Sequence, residues 1–291
     1  MASENKGRLF LCPTPIGNLE DITLRVLRVL EEAHLIAAED TRHTRKLLNH
    51  YSIQTPLTSY REHNRAKQGE ILLSKMAGGF DVALVSDAGM PGISDPGHEL
   101  VQKALEAGFP VEVLPGPSAS LTGLLSSGYP PVPFTFWGFL PPRGKKRREA
   151  LERLKEGGGH TMVLYEAPHR LIRTLEDLKE QGFEEGALCR ELTKKFQEVL
   201  RGTLEEHLEN SISREPRGEY VIVLPARKEP EGEQGEVGGA KEEVAALMAG
   251  GITKKEAITA VAQRRGLPRK EIYRQCYGLS GRKAKKNSTQ G

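Results

Sequence analysis

Apolar positions in this chain fall into short compact runs separated by longer stretches with helical spacing. Arg8–Pro13, Leu35–Ala38, Val82–Val85 and Val111–Leu114 have the length and composition of buried strands. Between them, Leu24, Leu27, Val29, Leu30 and Ala33 give one predicted helix its apolar face. Ile71–Met76 and Leu100–Ala107 predict two further helices, the second ended by Gly108. Strands alternating with helices predict an α/β fold with a mostly parallel sheet. The Gly/Pro cluster Ser126–Pro133 then marks a boundary. Beyond it a second α/β half is expected, with strands at Phe134–Leu140, His160–Tyr165, Ala187–Cys189 and Glu219–Leu224 and a helix over Leu171–Glu180. The expected division is an N-terminal α/β domain over 1–124 and a second over 125–227.

The pattern changes after residue 227. Lys228–Gly239 has almost no apolar content, so 228–240 is expected to be a flexible linker. Residues 241–280 predict a small helical unit. Thr253 and Glu256 have the spacing of a capping box, opening a helix that runs to about Arg265 and stops at Gly266. Pro268 suits the first turn of a second, basic helix carrying Arg269, Lys270, Tyr273 and Arg274. The outline is that of a helix-turn-helix. The last stretch, 281–291, is small and basic and is expected to be disordered.

Composition narrows the class. At 291 residues, 37% hydrophobic and 28% charged, the chain resembles a globular enzyme, and no apolar run nears the ~20 residues that span a bilayer. The N-terminal residues lack the apolar centre of a secretion signal. Cys12, Cys189 and Cys276 are far apart and form no CxxC, which points to the cytoplasm and away from disulfides or a zinc site. The net charge of +3 conceals an asymmetry: residues 241–291 carry +8 and the remainder −5. A basic appendage on an acidic body suggests a polyanion partner, nucleic acid first.

Candidate chemistry lies in three loops that follow predicted strands: Thr14–Asp21, Ser86–Gly97 and Pro115–Gly123. In a parallel sheet they emerge at one edge, where open α/β sheets bind ligands. None of the three contains Lys or Arg, and the second contains Asp87 and Asp95. Phosphate cradles combine Gly-rich turns with helix N-termini and often a Lys, and neither GxxxxGK[ST] nor GxGxxG occurs here. Nucleoside triphosphates and dinucleotides are therefore disfavoured. An acidic, glycine-lined crevice suits a cationic ligand with sugar hydroxyls, a description that S-adenosylmethionine meets. A divalent metal on Asp87 and Asp95 is the competing reading, and plain chain turns the bland one. No metal is assigned.

Eight motifs carry a family resemblance: PTPIGNLEDIT ending at Thr23, AEDTRHT at Ala38–Thr44, SDAGMPGISDPG at Ser86–Gly97, PGPSA at Pro115–Ala119, FWGFLPP at Phe136–Pro142, YEAPHR at Tyr165–Arg170, CRELTKKFQE at Cys189–Glu198 and GEYVIVL at Gly218–Leu224. In this order they resemble the tetrapyrrole-methylase superfamily, in the branch that methylates small-subunit (16S) rRNA at a cytidine 2′-hydroxyl. The resemblance implies two α/β domains with S-adenosylmethionine between them, a homodimer, and a cytidine in the decoding region as methyl acceptor. It also implies cofactor contacts from Pro15, Ile16 and Gly17, from Asp87, Gly89, Met90 and Pro91, and from Ser118, Ala119 and Ser120. Tyr165 and Tyr220 are its expected walls in the second domain.

A ribose hydroxyl is a poor nucleophile, so a general base is expected among Asp95, Glu166, His169 and Glu191, with Asp95 and Glu191 first. Each of these two also has a structural reading: Asp95 as cap of a helix starting near Pro96, Glu191 as partner of Arg190 or Lys194. The run RGKKRR predicts a basic loop in which Arg143, Lys145, Lys146, Arg147 and Arg148 contact RNA phosphates. Arg42, His43, Arg45, Arg170, Arg190 and Lys194 would add charge around the cleft, and Arg269, Lys270 and Arg274 on the last helix. With aromatics at 5%, extensive base stacking is not indicated, and Trp137 and Phe139 are expected in the core. The alternatives are a small-molecule methylase of the tetrapyrrole type and a non-enzymatic RNA-binding assembly factor. The partners expected are 16S rRNA or the small ribosomal subunit and a second copy of the chain, with no membrane.

Overall fold

In the computed structural model, strand β1 (Leu9–Leu11) lies inside a five-stranded sheet built by successive strand–helix units. The structure describes residues 6–95, 97–157, 159–227, 239–265 and 267–277, divided after Arg227 into two compact units. After β1 come α1 (Leu24–Glu32), β2 (Leu35–Ala38), α2 (Thr41–His50), β3 (Leu57–Ser59), α3 (Arg65–Ala77), β4 (Val82–Val85), α4 (Gly97–Glu106) and β5 (Val111–Val113). The strand order is β3-β2-β4-β1-β5 and every pairing is parallel. β2 and β4 are buried along their whole length, as strands covered on both faces must be. Ile36, Ala38, Ala83 and Val85 face α1 and α2, whereas Leu35, Ala37, Val82 and Leu84 face α3 and α4.

The second sheet is made of β6 (Phe134–Phe139), β7 (Thr161–Glu166), β8 (Glu185–Arg190), β9 (Glu198–Thr203) and β10 (Tyr220–Leu224), in the order β6-β7-β10-β8-β9. Only β6 and β7 run parallel, and the other three pairings are antiparallel. The expectation of a mostly parallel sheet therefore holds for the first half alone. β8 and β9 are joined by a short turn with no helix, and such a hairpin can only pair antiparallel. Helices α5 (Ala119–Ser127), α6 (Gly144–Glu156), α7 (Pro168–Glu180) and α8 (Leu204–Ser213) complete this unit. One face of the sheet packs on α6, α7 and α8 through Met162, Leu164, Ile222 and Leu224. The other face packs on α5 and on the loop after β1, through Val163, Ala187, Val221 and Val223 against Leu124 and Ile16.

Three local expectations are corrected by these contacts. The predicted boundary at 124/125 falls inside α5, whose Gly123 lies so close to Val221 that a Cβ would sit 2.7 Å from its Cγ1. The chain thus passes between the sheets before α5. On α1 the buried positions are Val26, Val29 and Leu30, while Leu24 is 86% exposed; the apolar stripe begins at residue 26. RGKKRR begins α6 instead of forming a loop. Strands β3 and β9 and the helical character of EDTRHTRK in α2 carry too little apolar periodicity to be read. Helix α8 was missed although its signal was present, a Thr203–Glu206 capping box with Leu204, Leu208 and Ile212 four residues apart.

The second unit contains α9 (Ala240–Ala249), α10 (Lys254–Arg265) and α11 (Arg269–Tyr277), closed around Val244, Ala257, Ile258, Val261, Ile272 and Cys276. The capping box is present: Thr253 and Glu256 side chains bond each other's backbone amides at 3.3–3.4 Å. α9 was not predicted, and it takes in Ala240 from the expected linker. Residues 228–238, Gly266 and the tail 281–291 lie outside the described residues. Among the described residues no helix is long and apolar enough to cross a membrane.

Candidate active site

The parallel sheet delivers its three loops to one place. After β1, Thr14 exchanges backbone hydrogen bonds with Gly89 of the loop after β4, at 3.0 and 2.9 Å. Thr14 Oγ1 donates to the Ser86 carbonyl at 3.1 Å, and Ser86 Oγ donates to the Gly89 carbonyl at 3.1 Å. The loop after β5 closes on both. A Cβ at Gly116 would lie 2.7 Å from Pro13 Cβ, and one at Gly89 would lie 3.3 Å from Ile16 Cγ2 and 3.5 Å from the Pro117 carbonyl oxygen. Gly89 is held at φ +76°, so both space and backbone favour glycine there. Ser118 then caps α5, and the amide of Ser120 donates to the Tyr165 hydroxyl at 3.0 Å, tying the loop cluster to β7. Pro15, Met90, Ser118, Ala119 and Ser120 are half-buried around this junction, with Ile16, Gly89 and Pro91 beneath.

Three carboxylates gather beside the loops. Asp87 accepts the Asp40 amide at 2.9 Å, and Glu39 receives the Asp87 amide in return. Burial raises the Glu39 carboxyl above its usual range, Asp87 and Asp95 add to this, and the Asp87 amide and Arg61 oppose it. Asp95 is also raised, first by burial, against the amides of Gly92 and Gly97. Those amides donate to its carboxylate at 2.9 and 2.8 Å. Asp95 is therefore the cap of α4, and its oxygens are committed to the backbone. Among the described residues no group of three His, Cys, Asp or Glu is arranged to hold a metal.

The second sheet supplies a wall and a clasp. Tyr165 stands on the face turned toward the loops, with the rings of Phe136 and Phe139 at 4.9 and 5.6 Å. Tyr220 stands on the opposite face, among Leu164, Leu171 and Ile222, and is corrected from wall to core residue. The hairpin turn after β8 grips the first loop: Thr193 Oγ1 accepts the Asn18 amide at 3.1 Å, and Gly17 lies against the Lys194 side chain. Glu191, at φ +50°, accepts from Lys194 Nζ at 2.8 Å and from the Glu219 amide at 3.0 Å. Burial raises its carboxyl, but Lys194 and the Glu219 amide outweigh that and hold it below the usual range. Glu191 is a structural anchor of the turn, not a free base. Glu166 is 2% exposed and is consumed by Thr174 at 2.6 Å, the Ala167 amide at 2.9 Å and Arg170 at 3.1 Å. His169 is exposed on α7.

The expected phosphate contacts divide sharply. Arg143, Lys145, Lys146 and Arg148 are exposed at the start of α6. Arg147 is 3% exposed and donates to Asp177 at 2.6 Å, Thr174 at 2.9 Å and the Pro141 carbonyl at 3.1 Å. It is a core residue and leaves the RNA set. Arg42 pairs with Asp40, Arg190 with Glu198 and the Arg217 carbonyl, and Lys194 with Glu191 and Glu219. Arg170 pairs with Glu166 and the Leu140 carbonyl. In the helical unit Arg269 and Lys270 are exposed, and Arg274 pairs with Glu271 at 2.7 Å.

Sequence reasoning missed Glu39, hidden in a stretch read only as polar, and Phe139. A register shift between Phe136 and Gly138 in the β6–β7 ladder removes Phe139 from Trp137's face and leaves it 52% exposed. It also missed the pair Tyr273 and Tyr277, whose exposed rings lie 5.2 Å apart with Lys254 Nζ 3.4 Å from the Tyr277 centroid. Their spacing of four residues was the available signal.

Residues 8–208 match the family model described as Tetrapyrrole (Corrin/Porphyrin) Methylases. The chain is 47% identical over 274 residues to Ribosomal RNA small subunit methyltransferase I of Halalkalibacterium halodurans, covering 93% of this chain and 94% of that protein. It is 44% identical over 272 residues to the protein of that name in Bacillus subtilis, covering 92% and 93%. Among solved structures, uroporphyrin-III C-methyl transferase from Thermus thermophilus complexed with S-adenyl homocysteine superposes with TM-score 0.54 at 21% identity, over 75% of this chain and 97% of that one.

Proposed function

We propose a function from one established premise: this chain belongs to the tetrapyrrole methylase family, in the group of ribosomal RNA small subunit methyltransferase I. It transfers a methyl group from S-adenosylmethionine to the 2′-hydroxyl of a cytidine in small-subunit rRNA, working as a homodimer in the cytoplasm. The observation that carries this reading is the convergence of three loops without a cationic side chain at one sheet edge. Gly89 and Gly116 let these loops close on one another, since a Cβ at either would press on Ile16 or Pro13. That cradle fits a sulfonium ligand carrying a sugar, and a solved protein of this fold carries S-adenyl homocysteine.

Pro15, Ile16, Gly89, Met90, Pro91 and Ser118–Ser120 would line the methyl donor, with Asp87 as its anionic partner and Tyr165 as the far wall. The donor supplies an electrophilic methyl carbon on a positively charged sulfur. The chain contributes position: Asp87 is fixed by the Asp40 amide, and the Thr14–Gly89 bridge sets the two loops against each other. The exposed cations at the start of α6 and on α11 support an RNA partner. Leu121, Leu125 and Val132, 49–81% exposed, support a second copy of the chain as the cover of that surface. Mass-spectrometric mapping of ribose methyl groups in rRNA from cells with and without the protein tests the reading. A missing methyl group on one small-subunit cytidine is expected, and an unchanged map refutes it.

A further inference from the structure

A recess of about 520 Å³ opens beside the loop cluster, with Glu39, Glu62, Arg65, Ser94, Asp95 and Glu99 among its walls. That volume lies within the range of small-ligand sites, roughly 300–1,000 Å³. Glu39 joins the two places, because it lines the recess and takes the amide of Asp87. Tyr60 is 1% exposed, and its hydroxyl has no hydrogen-bond partner among the described residues. Glu99, Arg65, Glu62 and Asp95 all act on that hydroxyl, so it belongs to the electrostatic surroundings of the recess. A Cβ on Gly138 would sit 4.0 Å from Ser94 Oγ, so β6 passes close to one wall of the recess, and the next residue along it is the exposed Phe139.

We infer that this recess receives the nucleotide to be methylated, that Phe139 stacks on its base, and that Glu39 accepts the proton of its 2′-hydroxyl. The inference rests on the rRNA methyltransferase reading above. Carboxylates accept hydrogen bonds from the exocyclic amino group of cytosine, and an extruded base is commonly held between an aromatic ring and polar groups. Phosphates are repelled from an acidic recess and are met instead by the cations at the start of α6, a few residues beyond Phe139. In the transfer, the ribose oxygen bonds to the methyl carbon, the carbon–sulfur bond breaks with its electron pair on sulfur, and the hydroxyl proton passes to the Glu39 carboxylate. Asp95, Glu166 and Glu191 each hold two or more structural partners, whereas Glu39 accepts the Asp87 amide and also lines the recess.

The groups acting on Glu39 are Asp87 and Asp95 from the loop after β4 and Arg61 after β3, and Glu62, Arg65, His98 and Glu99 share the recess. Burial and the two aspartates raise its carboxyl above the usual carboxylate range, which makes it a stronger base than an ordinary carboxylate. The transfer rate therefore rises with pH through the raised pKa.

The test uses the full chain, methyl-labelled S-adenosylmethionine and small ribosomal subunits, with calorimetry of S-adenosylhomocysteine and binding of a cytidine-containing oligoribonucleotide as separate readouts. Glu39→Gln is expected to lower kcat about a hundredfold or more and abolish the acid limb of the pH profile, with both affinities within threefold of wild type. Glu39→Asp, which keeps a carboxylate, retains that limb at reduced rate and decides the matter if the Gln variant fails to fold. Phe139→Ala is expected to weaken oligonucleotide binding about tenfold and leave S-adenosylhomocysteine binding unchanged. A wild-type protein that methylates no small-subunit rRNA refutes the parent reading. An active wild type with a Glu39→Gln loss below tenfold, or a loss confined to affinity, overturns the role of Glu39. Unaltered oligonucleotide affinity in Phe139→Ala overturns the role of the recess.

Discussion

The two sheets of the first unit meet at the candidate site with unequal roles. In the parallel sheet every strand ends at the same edge, so the loops after β1, β4 and β5 converge and bond to one another. In the second sheet only the β6–β7 pairing is parallel, so one edge mixes the ends of β6, β7 and β8 with the starts of β9 and β10, and a hairpin turn joins β8 to β9 there. Tyr165 and the Glu191–Lys194 turn are what it presents, and both hold loops of the first sheet. The difference teaches where chemistry and support are to be sought. Parallel topology collects loops at one edge, while the largely antiparallel partner stabilises their arrangement.

Substitutions on the two sides are expected to dissociate. The largest effect falls on the supporting side: Arg147→Met breaks the buried contact with Asp177 and Thr174 and lowers unfolding stability by about 3 kcal/mol, read from denaturant titration. Cofactor affinity of the folded fraction stays unchanged. On the loop side, Asp87→Ala is expected to weaken S-adenosylhomocysteine binding by about 1.5–3 kcal/mol, roughly ten- to a hundredfold, with a smaller change in stability. Equal losses of stability and affinity in both variants would erase the distinction between the sheets. Gly89→Ala forces a Cβ at φ +76° against Ile16 and lowers stability by about 1–2 kcal/mol, visible as a reduced Tm. Tyr165→Phe removes the acceptor of the Ser120 amide, with about 1 kcal/mol lost in stability or cofactor binding. The smallest effect is electrostatic. Replacing Lys145, Lys146 or Arg148 by Ala lowers the slope of log K against log salt for RNA binding by about 0.7 per lost phosphate contact, whereas Arg147 leaves it unaffected.

Proton linkage separates the same regions. Glu191 of the supporting turn has a lowered folded pKa, so its contribution to stability is present above its unfolded value and is lost as pH falls through the folded one. Glu39 and Asp95 beside the loops are raised, so their ionisation removes stability as pH rises from their unfolded values through the raised folded ones, for Glu39 above the window in which Glu191 acts. A binding-side carboxylate is held at a disadvantage that a cationic ligand relieves.

The core strands were legible because buried parallel strands are continuous apolar runs: Leu35–Ala38 and Val82–Val85 coincide with β2 and β4 residue for residue. The three loops followed from the same runs, since a strand's end fixes where its loop begins. β3 and β9 were invisible because they lie at sheet edges and alternate with polar residues. Tyr220 and Phe139 were misassigned because which face a strand residue takes depends on register, and one irregularity in β6 turns its later side chains over.

The sequence by itself determined the layered α/β class, the family, the loop cluster with Asp87, and a basic helical appendage. These rest on local patterns and motifs that survive without knowledge of neighbours. Only the folded structure decided which carboxylates are committed to structural hydrogen bonds. Asp95, Glu166 and Glu191 look alike as letters beside Glu39, but the folded loops and helices turn the Gly97 amide, the Thr174 hydroxyl and the Lys194 ammonium onto the first three. Partner atoms brought together by folding, not residue type, leave Glu39 facing both the loops and the recess.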